Sequence, residues 1–354
     1  MMHCGFGRDT RDSRPHDLAI FPSGISQKGS LLAVELKLNE RAQRLCEKMI
    51  EEADALRVSV QASACGTKLI DCGIAVPGGL ETGRRLAEVC LSGLARVDFV
   101  PSADEFGTGL AVMVTTDQPV AACMASQYAG WQIASGKYFA MGSGPMRSAA
   151  AKEDLFGKIG HREKPDCAVG ILETRKVPPD EVCRELAAAC GVSGERLTLL
   201  LAPTASLAGS VQVVARSVET ALHKLIELGF DLDRVASGVG TAPLPPTASN
   251  DLVAIGRTND AILYGGDVML WVRGDDASLE AIGPRVPSGA SADFGQPFAA
   301  IFERYDRDFY KIDPHLFSPA VVTLANLDTG NTFRFGHTLP RVIHESFDIR
   351  QVSP

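Results

Sequence analysis

The chain has 354 residues, of which 45% are hydrophobic and 22% charged, so it can build one large or two medium domains with a substantial core. Its formal net charge is -8, and it contains no basic run of about five or more residues, which disfavours nucleic acid as a partner. The N-terminus lacks the pattern of a secretory signal, and no stretch of about 18 apolar residues follows, so secretion and membrane insertion are disfavoured.

The nine cysteines are scattered singly, mostly inside apolar segments. None forms a Cys-x-x-Cys pair, and none has companion histidines at the spacing of metal ligands. This pattern is typical of reduced, buried cysteines in a cytoplasmic protein. We therefore expect a cytoplasmic location and no metal site.

The first elements follow from charge and periodicity. Residues 1–33 mix charges, Pro, Gly and Ser without a period, which predicts a poorly ordered N-terminal extension. Residues 38–56 carry apolar side chains at helical spacing and predict an amphipathic helix. Residues 57–76 alternate like two strands around a turn at 65–67, and a Pro-Gly-Gly follows before the next predicted helix.

Further strand-like and helix-like segments alternate along the chain. A strand at 110–117 leads into a predicted helix at 121–134, and the alternation continues from residue 166 to 243. This rhythm predicts an α/β fold of layered α+β character. A weak echo of SQYAGWQI and FAMGSGP in the later SVQVVARSV and VASGVGTAP indicates either two mixed α/β halves that face each other across a substrate cleft or a chance similarity of segments rich in Ala, Gly and Ser. We place the first domain at 34–165 and the second at 166–348, with the C-terminal segment as a candidate to pack on the first domain.

The segment that begins at residue 210, SVQVVARSVETALHKLIELGFD, predicts a helix over 211–228. Its polar side chains form one stripe: Gln212, Arg216, Glu219 and His223. One interpretation is a solvent-exposed stripe with a surface ion pair worth about 0.3 to 0.5 kcal/mol. The other is a stripe that faces a cleft, because the helix follows an apolar strand and a loop of small residues, where α/β proteins place their sites.

In a cleft, Arg216 and Glu219 would have a use in proton transfer. Loss of solvation raises the pKa of a glutamate, while an adjacent guanidinium lowers it. The balance can leave a carboxylate that accepts a proton and later releases it.

Four longer segments carry a resemblance to a known family: GWQIASGKYFAMGSGPMRSA at 130–149, LAPTASLAGSVQVVARSVETA at 201–221, RTNDAILYGGDV at 257–268 and DFYKIDPHLFSPA at 308–320. In this order they resemble the methenyltetrahydromethanopterin cyclohydrolases of methanogenic archaea and methylotrophic bacteria. The resemblance runs from about residue 36 to residue 347. It implies the fold specific to these cyclohydrolases.

The resemblance also implies a reaction, the reversible hydrolysis of 5,10-methenyl-tetrahydromethanopterin to the 5-formyl derivative in one-carbon metabolism, of the formaldehyde-oxidation or methanogenesis type. The family's catalytic Arg-x-x-Glu falls on Arg216 and Glu219. Glu219 is then expected to act as acid and base on water, and Arg216 to orient Glu219 and stabilise charge. The methenyl carbon lies between two nitrogens and is already electrophilic, so neither a metal nor a redox cofactor is expected.

The resemblance further implies a homo-oligomer, a trimer or a dimer, whose partner is a small pterin substrate. Two alternatives stay open. One is a cyclohydrolase that acts on a folate, since both carriers share the methenyl centre. The other is a non-catalytic, pterin-binding oligomeric protein in which the Arg and Glu form a structural ion pair.

Six residues are candidates for substrate binding: Gln127, Lys137, Ser143, Arg147, Asn259 and Asp260. The loop 141–145, with Arg147, would present backbone amides and a guanidinium to the polar edge of the substrate, or would be a tight strand-to-helix turn. Lys137 would attract an anionic tail, or would serve solubility alone.

Asn259 and Asp260 are expected to follow a helix and to hydrogen-bond the pterin edge, although both residue types also favour turns and caps. Gln127 and Trp131 are expected to share the helix at 121–134, where Trp131 would pack in the core or stack on the pterin. Glu173 ends a strand-like segment, a position that suits a cleft and equally an ion pair with Arg175.

Overall fold

Two six-stranded sheets organise the computed structural model, which describes residues 35–308 and 311–349. The N-terminal extension predicted for residues 1–33 lies outside the described residues. The strands are β1 (Ser59–Ala62), β2 (Lys68–Asp71), β3 (Ala95–Pro101), β4 (Leu110–Thr116), β5 (Trp131–Ser135), β6 (Tyr138–Ser143), β7 (Ala168–Glu173), β8 (Leu197–Ala202), β9 (Val235–Pro243), β10 (Asp267–Val272), β11 (Val321–Asn326) and β12 (Thr332–Gly336).

The α-helices of the described residues are α1 (Leu38–Glu51), α2 (Ala53–Leu56), α3 (Leu80–Cys90), α4 (Met146–Ala150), α5 (Leu155–Ile159), α6 (Asp180–Ala189), α7 (Leu207–Val214), α8 (Ser217–Glu227), α9 (Asp251–Gly265), α10 (Asp276–Ile282), α11 (Phe298–Arg304) and α12 (Pro340–Phe347). A π-helix spans Val120–Gln127. Short 3-10 helices lie at Asp104–Phe106, Gly194–Arg196, Leu232–Arg234, Gly283–Arg285, Ser288–Ala290 and Pro314–Leu316.

The first sheet, sheet A, has the strand order β1-β2-β8-β7-β6-β5, and the second, sheet B, has the order β12-β11-β10-β9-β4-β3. In sheet A, β2, β8 and β7 run parallel. All six residues of β8 are buried, as expected for a parallel strand covered on both faces. The predicted fold class, layered α/β with mixed sheets, is confirmed.

The domain division predicted near residue 165 stays a prediction. Each sheet takes strands from both sides of that point. In sheet A, β2 pairs with β8 and β6 pairs with β7, and in sheet B, β4 pairs with β9.

The predictions for the early part of the chain are confirmed, except that the single helix predicted for 38–56 is divided at Glu52. The amphipathic segment forms α1 and then α2, with one face of α1 buried. The two strands around the turn at 65–67 pair as the antiparallel hairpin of β1 and β2, with Val60 opposite Ile70. Within the described residues, no helix is long and apolar enough to cross a membrane.

The helix predicted for 121–134 is wrong beyond Gln127. The π-helix ends there, the backbone of Tyr128 is extended, and Trp131 opens β5 opposite Gly142 of β6. Gly130 lies in the turn, where an added Cβ would lie 2.7 Å from the Tyr128 ring. Pairing with β6 therefore overrides the helical propensity of this Ala-rich segment.

The single helix predicted for 211–228 is also wrong, because it is two helices, α7 and α8, with a break at Ala215 and Arg216. A third difference concerns Asn259 and Asp260. Both residues lie inside α9, one to two turns before its end, rather than in a turn after it.

Candidate active site

The break between α7 and α8 sets the position of the predicted catalytic pair. Ser206 caps α7, with its hydroxyl accepting from the Gly209 amide at 3.0 Å. At the break, the carbonyl of Ala215 accepts a hydrogen bond from Nε2 of Gln127 at 2.9 Å. Arg216 is the N-terminal cap residue of α8, and Glu219 lies in the first turn, where the helix dipole favours a negative charge.

Apolar contacts hold α8 against sheet B. Val218 lies in the same buried cluster as Leu222 and Leu225. Gly238 and Gly240 of β9 admit this helix closely, since an added Cβ at Gly240 would lie 3.1 Å from Val218 and 2.5 Å from the Ser217 hydroxyl. The first turn of α8 therefore has a fixed position on the sheet.

The guanidinium of Arg216 is held by three other elements. Nη1 donates to the carbonyl of Gln127 at 2.5 Å, and Nη2 donates to the Ser143 hydroxyl of β6 at 3.2 Å. Nη2 also contacts Sγ of Cys90, at the end of α3, at 3.9 Å. Arg216 is only 6% exposed. Its planar fork is thus preorganised, which costs little on ligand binding.

Glu219 is a buried carboxylate beside that guanidinium. Its Oε2 lies 3.9 Å from Nη1 of Arg216, beyond hydrogen-bond reach, and the residue is 4% exposed. Burial raises the pKa of Glu219 to about 7, although Arg216 and Arg147 both lower it. The carboxylate can therefore change protonation near neutral pH, as a general acid and base must.

Arg147 supports this environment from a fully buried position. Its Nε pairs with Glu153 at 2.8 Å, Nη1 donates to the carbonyl of Met124 at 3.0 Å, and the guanidinium carbon lies 4.8 Å from the centre of the Tyr128 ring. Nη2 is buried and has no partner among the described residues. Arg147 thus supplies positive charge near Glu219 from inside the protein.

The ring of Tyr128 packs against α8 through His223 of that helix. The Tyr128 ring stacks on His223 with the ring centres 5.0 Å apart. Burial, and then the charge of Glu219, raise the pKa of Tyr128 to about 12, while burial lowers the pKa of His223. The predicted polar stripe is therefore largely buried, and its members contact other elements rather than bulk water.

The carboxyl ends of β7 and β8 lie near Arg216 and the residues around it. Glu173 ends β7 and accepts a hydrogen bond from the hydroxyl of Thr204, in the loop between β8 and α7. The amide of Ala205 in that loop donates to Oδ1 of Asp251 at 2.9 Å. Arg175 pairs with Asp251, not with Glu173. Open α/β sheets place ligands at this edge of their parallel strands.

Not all the predicted substrate-binding residues come together. Gln127 and Ser143 both contact Arg216. Lys137 is exposed in the turn between β5 and β6, about 20 Å from Ser143 at roughly 3.3 Å per strand residue. Substrate contacts at all of these residues stay predictions.

The loop 141–145 is a tight strand-to-helix connection in the structure. Gly144 has a φ of 89°, which glycine adopts without strain, and its amide donates to the carbonyl of Ser126 at 2.9 Å. The amide of Arg147 donates to the carbonyl of Gly144. These two amides are therefore used within the protein.

Asn259 and Asp260 are also engaged within the protein. Nδ2 of Asn259 donates to the carbonyl of Ile255 at 2.8 Å. Asp260 is fully buried, accepts from the amide of Phe298 at 2.8 Å, and has its pKa raised to about 7 by burial. Within the described residues, no hydrogen bond or ion pair joins these two side chains to Arg216 or Glu219.

Comparison with known proteins decides the family. Residues 37–347 match the family described as cyclohydrolase (MCH). The chain belongs to this cyclohydrolase family. The matched residues include all four resembling segments and every predicted site residue.

Individual members of the cyclohydrolase family are similar over nearly their whole length. The chain is 49% identical to a methenyltetrahydromethanopterin cyclohydrolase of Xanthobacter autotrophicus over 315 residues, 89% of this chain and 94% of that protein. It is 43% identical to the enzyme of that name from Methylobacillus flagellatus, covering 88% of this chain and 95% of that protein. The one from Methanosarcina barkeri is 40% identical, over 90% of this chain and all of that protein.

The sequence did not point to Cys90 and Tyr128, which contact or flank the predicted pair in this candidate site. Cys90 lies at the end of α3 and has no motif around it, and only the packing of α3 on α7 brings its sulfur to Arg216. The thiols of the eight cysteines among the described residues are free. Within those residues, no group of three His, Cys, Asp or Glu side chains is placed to hold a metal ion.

Proposed function

We propose that this chain catalyses the reversible hydrolysis of 5,10-methenyl-tetrahydromethanopterin to 5-formyl-tetrahydromethanopterin in one-carbon metabolism. Membership of the cyclohydrolase family supports this reaction, and so does the name of a relative that is 49% identical in sequence. The observation that carries the proposal is the buried Glu219, whose pKa is about 7, beside the immobilised guanidinium of Arg216.

The first step is attack of water on the methenyl carbon. This carbon shares the positive charge of two nitrogens and needs no further activation, so the enzyme has to position and deprotonate one water molecule. Glu219 takes a proton from that water as the new carbon–oxygen bond forms. The product of this step is a neutral carbinolamine, and Glu219 now carries a proton.

The second step opens the ring. Glu219 gives its proton to N10 as the bond between carbon and N10 breaks, and the hydroxyl of the intermediate loses its proton to solvent as the formyl carbonyl forms. One water is consumed and one proton released, which balances the conversion of a cation into a neutral product. Arg216 orients Glu219 and stabilises the oxygen that carries the developing negative charge.

The supporting residues have distinct parts in this proposal. Gln127 and Ser143 fix the guanidinium of Arg216 by the hydrogen bonds described above, and Arg147 limits the rise in the pKa of Glu219. No metal or redox cofactor is required by this chemistry, since the substrate supplies its own electrophile.

We further propose that the protein is a cytoplasmic homo-oligomer, a trimer or a dimer. Light scattering after size-exclusion chromatography would test the oligomeric state.

The reaction is tested with the methenyl chromophore. Purified protein is added to 5,10-methenyl-tetrahydromethanopterin, with the methenyl derivative of tetrahydrofolate in parallel, and the absorbance of each is followed. We expect catalysed loss of the methanopterin signal and little effect on the folate. Faster loss of the folate signal would move the assignment to a folate carrier. No loss of either signal with folded protein would leave a non-catalytic pterin-binding protein.

A further inference from the structure

Glu173 is a carboxylate near the proposed active centre that the mechanism does not use. It is partly buried at the carboxyl end of β7, and burial raises its pKa while Arg216 and the hydroxyl of Thr204 lower it. Partial burial of a carboxylate that forms no ion pair lowers the stability of the fold. Such a group therefore points to a binding or structural role.

The strand register places Glu173 on the same face of sheet A as the residues that hold Arg216. In the antiparallel pair of β6 and β7, Ser143 lies opposite Ile171, and Met141 lies opposite Glu173. Side chains two residues apart on a strand share a face, so Glu173 and Ser143 are diagonal neighbours, about 7 to 8 Å apart at their Cα atoms. Ser143 itself binds Arg216.

The hydrogen bonds of Glu173 leave acceptor positions open. Its Oε1 accepts from Thr204, and no hydrogen bond to Oε2 is present among the described residues. A carboxylate offers about four lone-pair sites on two oxygens. The loop that carries Thr204 is in turn tied to Asp251 at the start of α9 through the amide of Ala205. Glu173 is thus oriented by one side chain and available to a ligand.

We propose that Glu173 binds the donor edge of the pterin ring, formed by the ring N3–H and the 2-amino group. Two adjacent N–H groups on a planar ring match the two oxygens of a carboxylate, as an arginine fork does. This inference rests on the proposed function, because it takes the ligand to be a pterin. It takes the place of Asn259 and Asp260 at that edge: Nδ2 of Asn259 and Oδ1 of Asp260 are used inside the protein, and Asp260 is fully buried within α9.

The substitution Glu173→Gln tests this role. The amide keeps the shape and the bond to Thr204, but it offers only one acceptor oxygen and places a donor against a donor. We expect the KM for the methenyl substrate to rise at least tenfold, with kcat changed by less than about threefold, because the contact lies away from the reacting carbon and is the same in ground and transition states. An unchanged KM would overturn the proposal.

Binding of ring fragments separates this inference from the reaction. Wild type and Glu173→Gln are titrated with 6-methylpterin and with 6-methyllumazine, which has an oxygen in place of the 2-amino group. Wild type should prefer the pterin and Glu173→Gln should lose the preference, while Glu185→Gln, an exposed carboxylate on α6, should behave as wild type. Equal preference in wild type and Glu173→Gln would count against the proposal.

The KM measurement and the ring-fragment titration together distinguish a failure of this inference from a failure of the proposed reaction. Pterin binding that depends on Glu173 in a protein without hydrolytic activity would leave this inference standing and refute the proposed reaction. Hydrolysis with a KM that Glu173→Gln leaves unchanged would support the proposed reaction and refute this inference. Equal urea midpoints of wild type and Glu173→Gln would show that this substitution changes binding and not the stability of the fold.

Discussion

Glu219 shows how opposing electrostatic effects at one residue set its pKa. Burial favours the neutral acid, while Arg216 at 3.9 Å and the buried Arg147 favour the carboxylate. Burial is the larger effect, so the pKa settles at about 7 instead of near 4.5. A closer ion pair would hold the carboxylate ionised and leave it a poor acid for the proposed ring-opening step.

This balance predicts a pH-dependent stability effect. Between pH 4.5 and about 7 the folded protein keeps the Glu219 proton that the unfolded chain releases, so this group makes the protein less stable as the pH rises through that window. Glu219→Gln removes the effect. Its free energy of unfolding, measured with urea, should exceed that of wild type by on the order of 3 kcal/mol at pH 8 and match it near pH 4.5.

The exposed Glu185 on α6 provides the control for that experiment. Glu185→Gln should show no such difference between the two pH values. A Glu219→Gln protein less stable than wild type at pH 8 would mean that the pair with Arg216 stabilises the fold, and the assigned pKa would be wrong.

Arg216 is expected to act through geometry as well as charge. Arg216→Ala removes the guanidinium and should both raise KM and lower kcat. Arg216→Lys keeps the charge but cannot bind Gln127 and Ser143 as one planar fork, so we expect kcat to fall about 100-fold. Steady-state kinetics at pH 8 measure both variants, and near-native kcat in Arg216→Lys would show that the charge alone suffices.

At the scale of elements, the break between α7 and α8 could not be predicted from local sequence. Ala215 and Arg216 contain no helix breaker, and the hydrophobic period of the segment continues through them. The bond from Gln127 to the Ala215 carbonyl comes from a residue 88 positions away, at the end of a π-helix, an element often found at functional sites. By contrast, the amphipathic α1 and the hairpin of β1 and β2 follow from local patterns and were predicted correctly.

Close packing of α3 on α7 fixes the elements around the site. An added Cβ at Gly83 would lie 2.6 Å from the Cβ of Val211 and 3.0 Å from the backbone of Ala208. We expect Gly83→Ala to lower the free energy of unfolding by about 2 kcal/mol. Gly157→Ala in α5, where an added Cβ meets nothing within 4 Å, is the matched control and should be neutral or stabilising by about 0.5 to 1 kcal/mol. Equal effects in urea titrations would contradict this packing argument.

For the molecule as a whole, the sequence motifs predicted the family and the candidate catalytic pair, whereas the hydrophobic periodicities predicted only individual helices and strands. Four ordered segments pointed to the cyclohydrolase family and to Arg216 and Glu219, and the family is confirmed. The rest of the site could not be predicted, because it depends on contacts between residues far apart in sequence. Ser143 lies 73 residues from Arg216, and Cys90 lies 126 residues away.

The shared strands of the two sheets predict cooperative unfolding. From Lys37 onward the described residues form one compact unit, and each sheet takes strands from both sides of residue 165. The two tryptophans report on different sheets, since Trp131 lies in β5 and Trp271 in β10. The fluorescence of Trp131→Phe and of Trp271→Phe should therefore show the same urea midpoint. Two separate midpoints would favour independent domains.

The turnover of wild type and Glu219→Gln across pH 5 to 9 tests the central claim most directly. Wild-type hydrolysis of the methenyl substrate should rise as the pH passes about 7, because the base must be ionised. Glu219→Gln should bind the substrate with a similar affinity, lose about three orders of magnitude in kcat, and lack the rise near pH 7. A Glu219→Gln protein with near-native kcat and an unchanged pH profile would contradict the assignment of Glu219 as the acid and base.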